Sequence, residues 1–122
     1  MKRILLSMDQ TRFFQCLSDE TRLRTLILFE EELDLCVCEL SHALQLSQPK
    51  ISRHMAAMRD AGIVKSRRKA QWVFYSLDAD MTGWQKDIVV AAIRGNKNDP
   101  LAVADRNRLS DMQGRPARCD VA

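Results

Sequence analysis

Apolar positions in this chain recur with two periods, and the switch between them lays out the architecture. Phe13, Phe14 and Leu17 fall at helical spacing, and so do Leu23, Leu26 and Ile27. Ser7-x-x-Gln10 has the form of a capping box, so a first helix is predicted to open there and end near Leu17. Ser18 then reads as the N-cap of a second helix. Glu30, Glu31 and Glu32 follow as a solvated turn. "LDLCV" has an extended pattern, and a third helix is predicted to begin within "CVCEL" and end near Leu44. In "QLSQPK" Ser47 can cap a fourth helix, and Pro49 suits its first turn, where no backbone donor is required. Ile51, Met55 and Met58 make an apolar seam at i, i+4, i+7, and Gly62 ends the helix as a C′ glycine.

The period then changes to two. Ile63 to Arg68 and Trp72 to Leu77 alternate and are joined by "KAQ", which predicts a β-hairpin. Tight two-residue hairpins favour positive φ angles that alanine resists, so Ala70 predicts a longer or looser tip. Helical spacing returns through Trp84, Ile88, Ala91 and Ala92. After Gly95 the chain becomes rich in Asn, Asp, Arg, Gly and Pro. This divides it into a domain over 1–95 and a polar tail over 96–122, expected to be mobile apart from a short helix around Leu101 to Met112. Helix, helix, helix, turn, helix, hairpin, helix is the order of a winged helix-turn-helix: mainly α with a β-hairpin wing.

Charge sharpens that picture. The 122 residues carry a net charge of only +3. Yet between Lys50 and Gln71 stand Lys50, Arg53, Arg59, Lys65, Arg67, Arg68 and Lys69 against the single acid Asp60. This local excess is larger than that of the whole chain, so the remainder is net acidic. Charge runs are commonly just solvated faces, but these fall on two adjacent elements, a capped helix and a hairpin tip. Ser47, Gln48, Lys50, Ser52, Arg53 and His54 occupy the start of the helix, from which side chains reach base edges and phosphates when a helix enters a major groove. Arg67, Arg68 and Lys69 on the hairpin are placed for backbone or minor-groove contact. Double-stranded DNA is the expected partner. No Ser/His/Asp set, carboxylate cluster or glycine-rich phosphate loop points to catalysis.

The opening "MKRILLSMDQ" has too short an apolar run for a signal peptide, and no later run is long enough to cross a membrane, so a cytoplasmic protein without membrane contact is expected. Its four cysteines are then reduced thiols, available as ligands or sensors. Cys36 and Cys38, in "LCVCELS", are too close for an ordinary disulfide and do not match a CxxC motif. They read either as soft-metal ligands or as small packed residues. Cys16 lies in an apolar helical run and reads as core, and Cys119 lies in the polar tail.

"LSDETRLRTLILF", "LCVCELSHALQLSQPKISRHMAAMRDAGIV" and "RRKAQWVFYSL" resemble the ArsR/SmtB family of bacterial metalloregulatory repressors, with "CVCEL" similar to its arsenic-responsive branch. The resemblance covers roughly Phe13 to Ile93. It implies a homodimer on a two-fold symmetric operator that releases DNA on binding As(III) or Sb(III), with no organic cofactor. It also implies a dimer interface on the first and last helices, which Phe13, Phe14, Trp84, Ile88 and Val89 fit. Ser41 stands where that branch often has a third cysteine, and Ala70 where the wing usually has glycine. The last helix lacks the histidines of zinc sensors, and only Cys16 is available where cadmium and lead sensors add cysteines.

As(III) favours three thiolates; Cys36 and Cys38 supply two, and Cys119 is either inert or the third ligand by folding back, with Cys16, an external thiol or two-coordinate binding as the alternatives. Side chains at i and i+2 diverge by about 200° on a regular helix. Capture of one ion by both sulfurs is therefore expected to bend or unwind the helix start. Placement at a helix N-terminus is expected to favour the thiolate. Two rival readings are a repressor that senses thiol oxidation and a winged helix used as a protein-interaction module.

Overall fold

The computed structural model describes residues 2–116, with side chains from Gln10 onward. Helix α1 (Lys2–Leu17) starts earlier than expected: Lys, Arg, Leu and Met propagate a helix well, so Ser7 lies inside it rather than at its cap. Helix α2 (Glu20–Leu28) is capped by Asp19, whose carboxylate accepts from the Arg22 amide at 3.0 Å. Ser18 cannot serve, because its own N–H still bonds back to Phe14 O at 3.1 Å and belongs to the end of α1.

Strand β1 (Leu35–Cys36) leads directly into α3 (Val37–Leu44). Gln45 closes α3 in the left-handed region at φ 58°, and the turn passes to α4 (Gln48–Asp60). The reading of α4 holds in detail. Ser47 caps it, Pro49 sits in its first turn, Ile51, Met55 and Met58 are fully buried, and Gly62 beyond its end has φ 77°.

Strands β2 (Val64–Lys69) and β3 (Trp72–Leu77) pair antiparallel from Val64↔Leu77 to Lys69↔Trp72. The tip is therefore a tight two-residue loop, Ala70–Gln71, with Ala70 at φ 54°. The looser tip expected from alanine is not what forms. Uninterrupted pairing of the two strands outweighs a cost of about 1–2 kcal/mol for one left-handed non-glycine residue. β1 adds to the other edge of β3 through Leu35↔Tyr75 and Cys36↔Phe74, giving the order β1-β3-β2.

Helix α5 (Gly83–Asn96) begins with a capping box, Thr82 with Gln85. Helix α6 (Pro100–Asp111) has Asp99 as its cap and Pro100 in its first turn, and corresponds to the short helix expected over Leu101 to Met112. It packs on α2 and α3 rather than hanging from the body, burying Ala102, Asp105 and Leu109. Buried Asp105 takes two bonds from Arg24, Nε at 2.9 Å and Nη2 at 2.8 Å, and one from Arg108 Nη2 at 2.7 Å. The same arginines donate to Leu44 O at 3.1 Å and Ala43 O at 2.7 Å, capping the end of α3. Glu32, expected in a solvated turn, pairs with Arg115 instead.

Candidate nucleic-acid interface and thiol site

The buried seam of α4 faces α2 and α3, which leaves Gln48, Lys50, Ser52 and Arg53 exposed on its opposite side and first turns. Ser47 is exposed too, with its hydroxyl accepting from the Lys50 amide at 3.3 Å. That cap leaves the first-turn amides pointing outward with the positive end of the helix dipole, a favourable seat for a phosphate. Arg68 and Lys69 are exposed on the wing. Arg67 is exposed but engaged: it pairs with Asp34 at 2.5 Å and its guanidinium lies 4.8 Å from the Phe74 ring centre.

His54 differs from its neighbours. It is turned toward the start of α2, with Nδ1 3.1 Å from Arg22 Nη1 and 3.9 Å from Asp19. Burial pushes its pKa down and Arg22, Arg53 and Lys50 add to this, against an opposing pull from Asp19. A neutral ring accepts the Arg22 proton, and Arg22 Nε also donates to Cys16 O at 2.6 Å, so His54 helps to seat α4. Cys16 is buried, as read from its apolar run.

The cysteine pair is arranged differently from the regular-helix expectation. Cys36 is the last residue of β1 and the N-cap of α3, with extended φ −87° and ψ 168°, whereas Cys38 is inside the helix. Because one partner lies outside the helix, the 200° divergence does not apply, and the two sulfurs are 3.0 Å apart. No unwinding is needed to bring them together. The expectation of a thiolate at Cys36 is also corrected. Burial and the hydrogen bond with Cys38 push its pKa up to about 12, against the bond it accepts from the Glu39 amide. Desolvation outweighs the helix terminus there.

Val37 and the two cysteines line a cleft of about 260 Å³ whose other walls are Gln48 and Ser52 of α4 and Gln71, Trp72 and Val73 of the wing. Among the described residues no group of three or more His, Cys, Asp and Glu side chains is placed to hold a metal ion. Cys119 lies outside the described residues. Ser41 donates its hydroxyl hydrogen bond to Leu46 O and so serves the turn between α3 and α4.

Of the residues read as interface, Phe13 and Val89 are 1% and 0% exposed within the single chain. Phe14 and Trp84 remain 49% and 42% exposed and stack with centres 6.0 Å apart, and Ile88 is half-buried beside them. Phe13 meets both rings edge-on at 5.4 Å.

Sequence reasoning missed Glu39 and Arg115. Glu39 is wholly buried, and its Oε1 accepts from the Cys36 amide at 2.9 Å. Cys36-x-x-Glu39 is a capping box with sulfur in place of the usual hydroxyl, and that substitution hid it. Arg115 joins Glu39 from far along the chain, with no local signal.

A capped helix with a basic, exposed first turn, flanked by an antiparallel hairpin, defines a DNA-binding protein of the winged helix-turn-helix class. The family model "Bacterial regulatory protein, arsR family" matches residues 19–66. A relative from Pseudomonas putida called arsenic resistance transcriptional regulator ArsR1 is 49% identical over 105 residues, 84% of this chain and 79% of the relative. The arsenical resistance operon repressor of Escherichia coli is 43% identical over 92 residues, 75% of this chain and 79% of the repressor. Reduced HlyU from Vibrio cholerae is similar in structure, with TM-score 0.63 and 31% identity over 76% of this chain and 94% of that one. The chain belongs to the arsR family of bacterial transcriptional regulators, and is not an enzyme. Among its described residues no helix is long and apolar enough to cross a membrane.

Proposed function

We propose that this protein is a cytoplasmic, homodimeric repressor of an arsenic resistance operon. It leaves its operator when Cys36 and Cys38 capture As(III) or Sb(III). The observation that carries this reading is the pair of sulfurs 3.0 Å apart in a cleft whose far walls are the first turns of α4 and the wing. The thiols give up their protons as the metalloid binds, and the resulting soft sulfur ligands select a thiophilic centre. An occupant of that cleft lies against Gln48 and Ser52 and alters the surface offered to DNA. Moving a repressor from 99% bound to 99% free requires about 5.5 kcal/mol of differential inducer affinity, a demand suited to two covalent-strength sulfur contacts. Cys119 is proposed as the third ligand. It follows Arg115, which is tied to the first turn of α3, by four residues, a reach of up to about 14 Å.

In this reading the exposed rings of Phe14 and Trp84, with half-buried Ile88, meet their two-fold copies, and Phe13 and Val89 support them from beneath. The two α4 helices then address half-sites about 34 Å apart. Gln48, Lys50, Ser52 and Arg53 reach into the major groove, Arg68 and Lys69 touch backbone, and Arg67 does so once freed from Asp34. His54 acts from behind by holding the helix.

Reduced protein bound to its operator is titrated with arsenite while DNA release is followed. Wild type should release, and Cys36→Ser and Cys38→Ser should each keep DNA binding and lose most of the response. Release of the double variant by arsenite refutes the reading. The sulfur separation also favours a second reading, in which oxidation joins the two thiols. Release by oxidant but not by arsenite under strictly reducing conditions selects it.

A further inference from the structure

The cysteine pair is held together by a chain of contacts that ends near the far terminus of the described chain. Cys36 is set at its extended φ and ψ by two bonds to Glu39. Its amide donates to Glu39 Oε1 at 2.9 Å, and its sulfur accepts from the Glu39 amide. The other oxygen of that carboxylate, Oε2, accepts from Arg115 Nε at 2.5 Å. Arg115 Nη2 in turn donates to Glu32 Oε1 at 2.5 Å, which ties the fork to the turn ahead of β1. Glu39 and Arg115 are 0% and 4% exposed, so no water replaces either partner cheaply. A buried carboxylate that loses its cation is strongly destabilised, and it turns toward water or takes up a proton.

We infer that Arg115 is a positioning residue for the thiol pair, acting through Glu39 to hold Cys36 at the N-cap with its sulfur against that of Cys38. It touches neither sulfur. Its planar fork fits two carboxylates at once, which an ammonium cannot reproduce. The assignment rests on the reading of Cys36 and Cys38 as inducer ligands, and it gives the segment after α6 a part in sensing independent of Cys119. Partners that orient metal ligands from outside the ligand set typically change affinity by about 10–100-fold when removed.

The full-length reduced protein is compared with Arg115→Gln, Arg115→Lys and Glu32→Gln in two assays. Arsenite is titrated by the ultraviolet absorption of the thiolate–arsenic bond, and the metalloid-free protein is alkylated with iodoacetamide, with Cys36 and Cys38 resolved by mass spectrometry. Arg115→Gln should bind arsenite about 10–100-fold more weakly and alkylate faster at Cys36, which is shielded in the native N-cap. Arg115→Lys should recover part of both, and Glu32→Gln should stay near wild type. Wild-type affinity and wild-type Cys36 alkylation in both Arg115 variants overturn the assignment. If Cys36→Ser/Cys38→Ser binds arsenite as wild type does, the ligand reading falls, and the alkylation rates still decide the role of Arg115.

Discussion

Replacing Asp105 by alanine tests whether α6 is part of the folded unit or an appendage. The carboxylate is buried and receives three charge-assisted hydrogen bonds, two from Arg24 and one from Arg108. Arg24 is 13% exposed at its side chain and Arg108 34%. Removing one partner of a buried pair costs about 3–5 kcal/mol, because the surviving charge stays desolvated. Here Arg108 can swing into water and Arg24 keeps its bond to Leu44 O, which places the expected loss at the lower end, about 3 kcal/mol. For a domain of this size that corresponds to a fall in Tm of roughly 12 °C. Urea and thermal unfolding followed by circular dichroism measure it directly. Arg108→Ala should cost about 1 kcal/mol, and combining it with Asp105→Ala should cost less than the sum, because the two share one contact. A loss below about 1 kcal/mol for Asp105→Ala, the range of surface pairs, would refute the reasoning and mean that α6 contributes little to the stability of α3.

Three further outcomes follow from the same structure. Arg53→Ala should weaken operator binding by about 1–3 kcal/mol and relax specificity at one base position, whereas Arg68→Ala should weaken all sequences alike and flatten the salt dependence, both read by fluorescence anisotropy. Ala70→Gly should raise stability by up to about 1 kcal/mol, because glycine accepts the left-handed φ without strain, and chemical denaturation detects it. His54→Gln should flatten the acid limb of the stability curve. The folded pKa of His54 is lowered, so its contribution is present above the unfolded value near 6.5 and is lost as pH falls through that value toward the folded one.

Much of this was legible in the sequence where one residue type has one physical use. Ser47 ahead of Pro49, the Ile51–Met55–Met58 seam and Gly62 each fix a local geometry that does not depend on distant partners, and α4 formed as read. Cys36 lies one position outside the helix that holds Cys38. A residue at a strand–helix junction obeys neither period, and placing it inside the helix reversed the conclusion about its distance from Cys38. His54 falls on the border of the seam, and only the contact with Arg22 decides which way it turns. Ala70 followed the pairing of the strands rather than its own preference. The bond from Arg115 to Glu39 spans 76 positions, and no local pattern announces such a contact.

The seat of Cys36 has a mechanical consequence. One sulfur belongs to a strand laced to the wing through Phe74, and the other rides on the helix that leads into the reading helix. In the proposed function, whatever bridges them acts as a strut between that strand and that helix, which lead to the wing and to α4. The joint between β1 and α3 then carries the signal, while α4 and the wing carry the address on DNA.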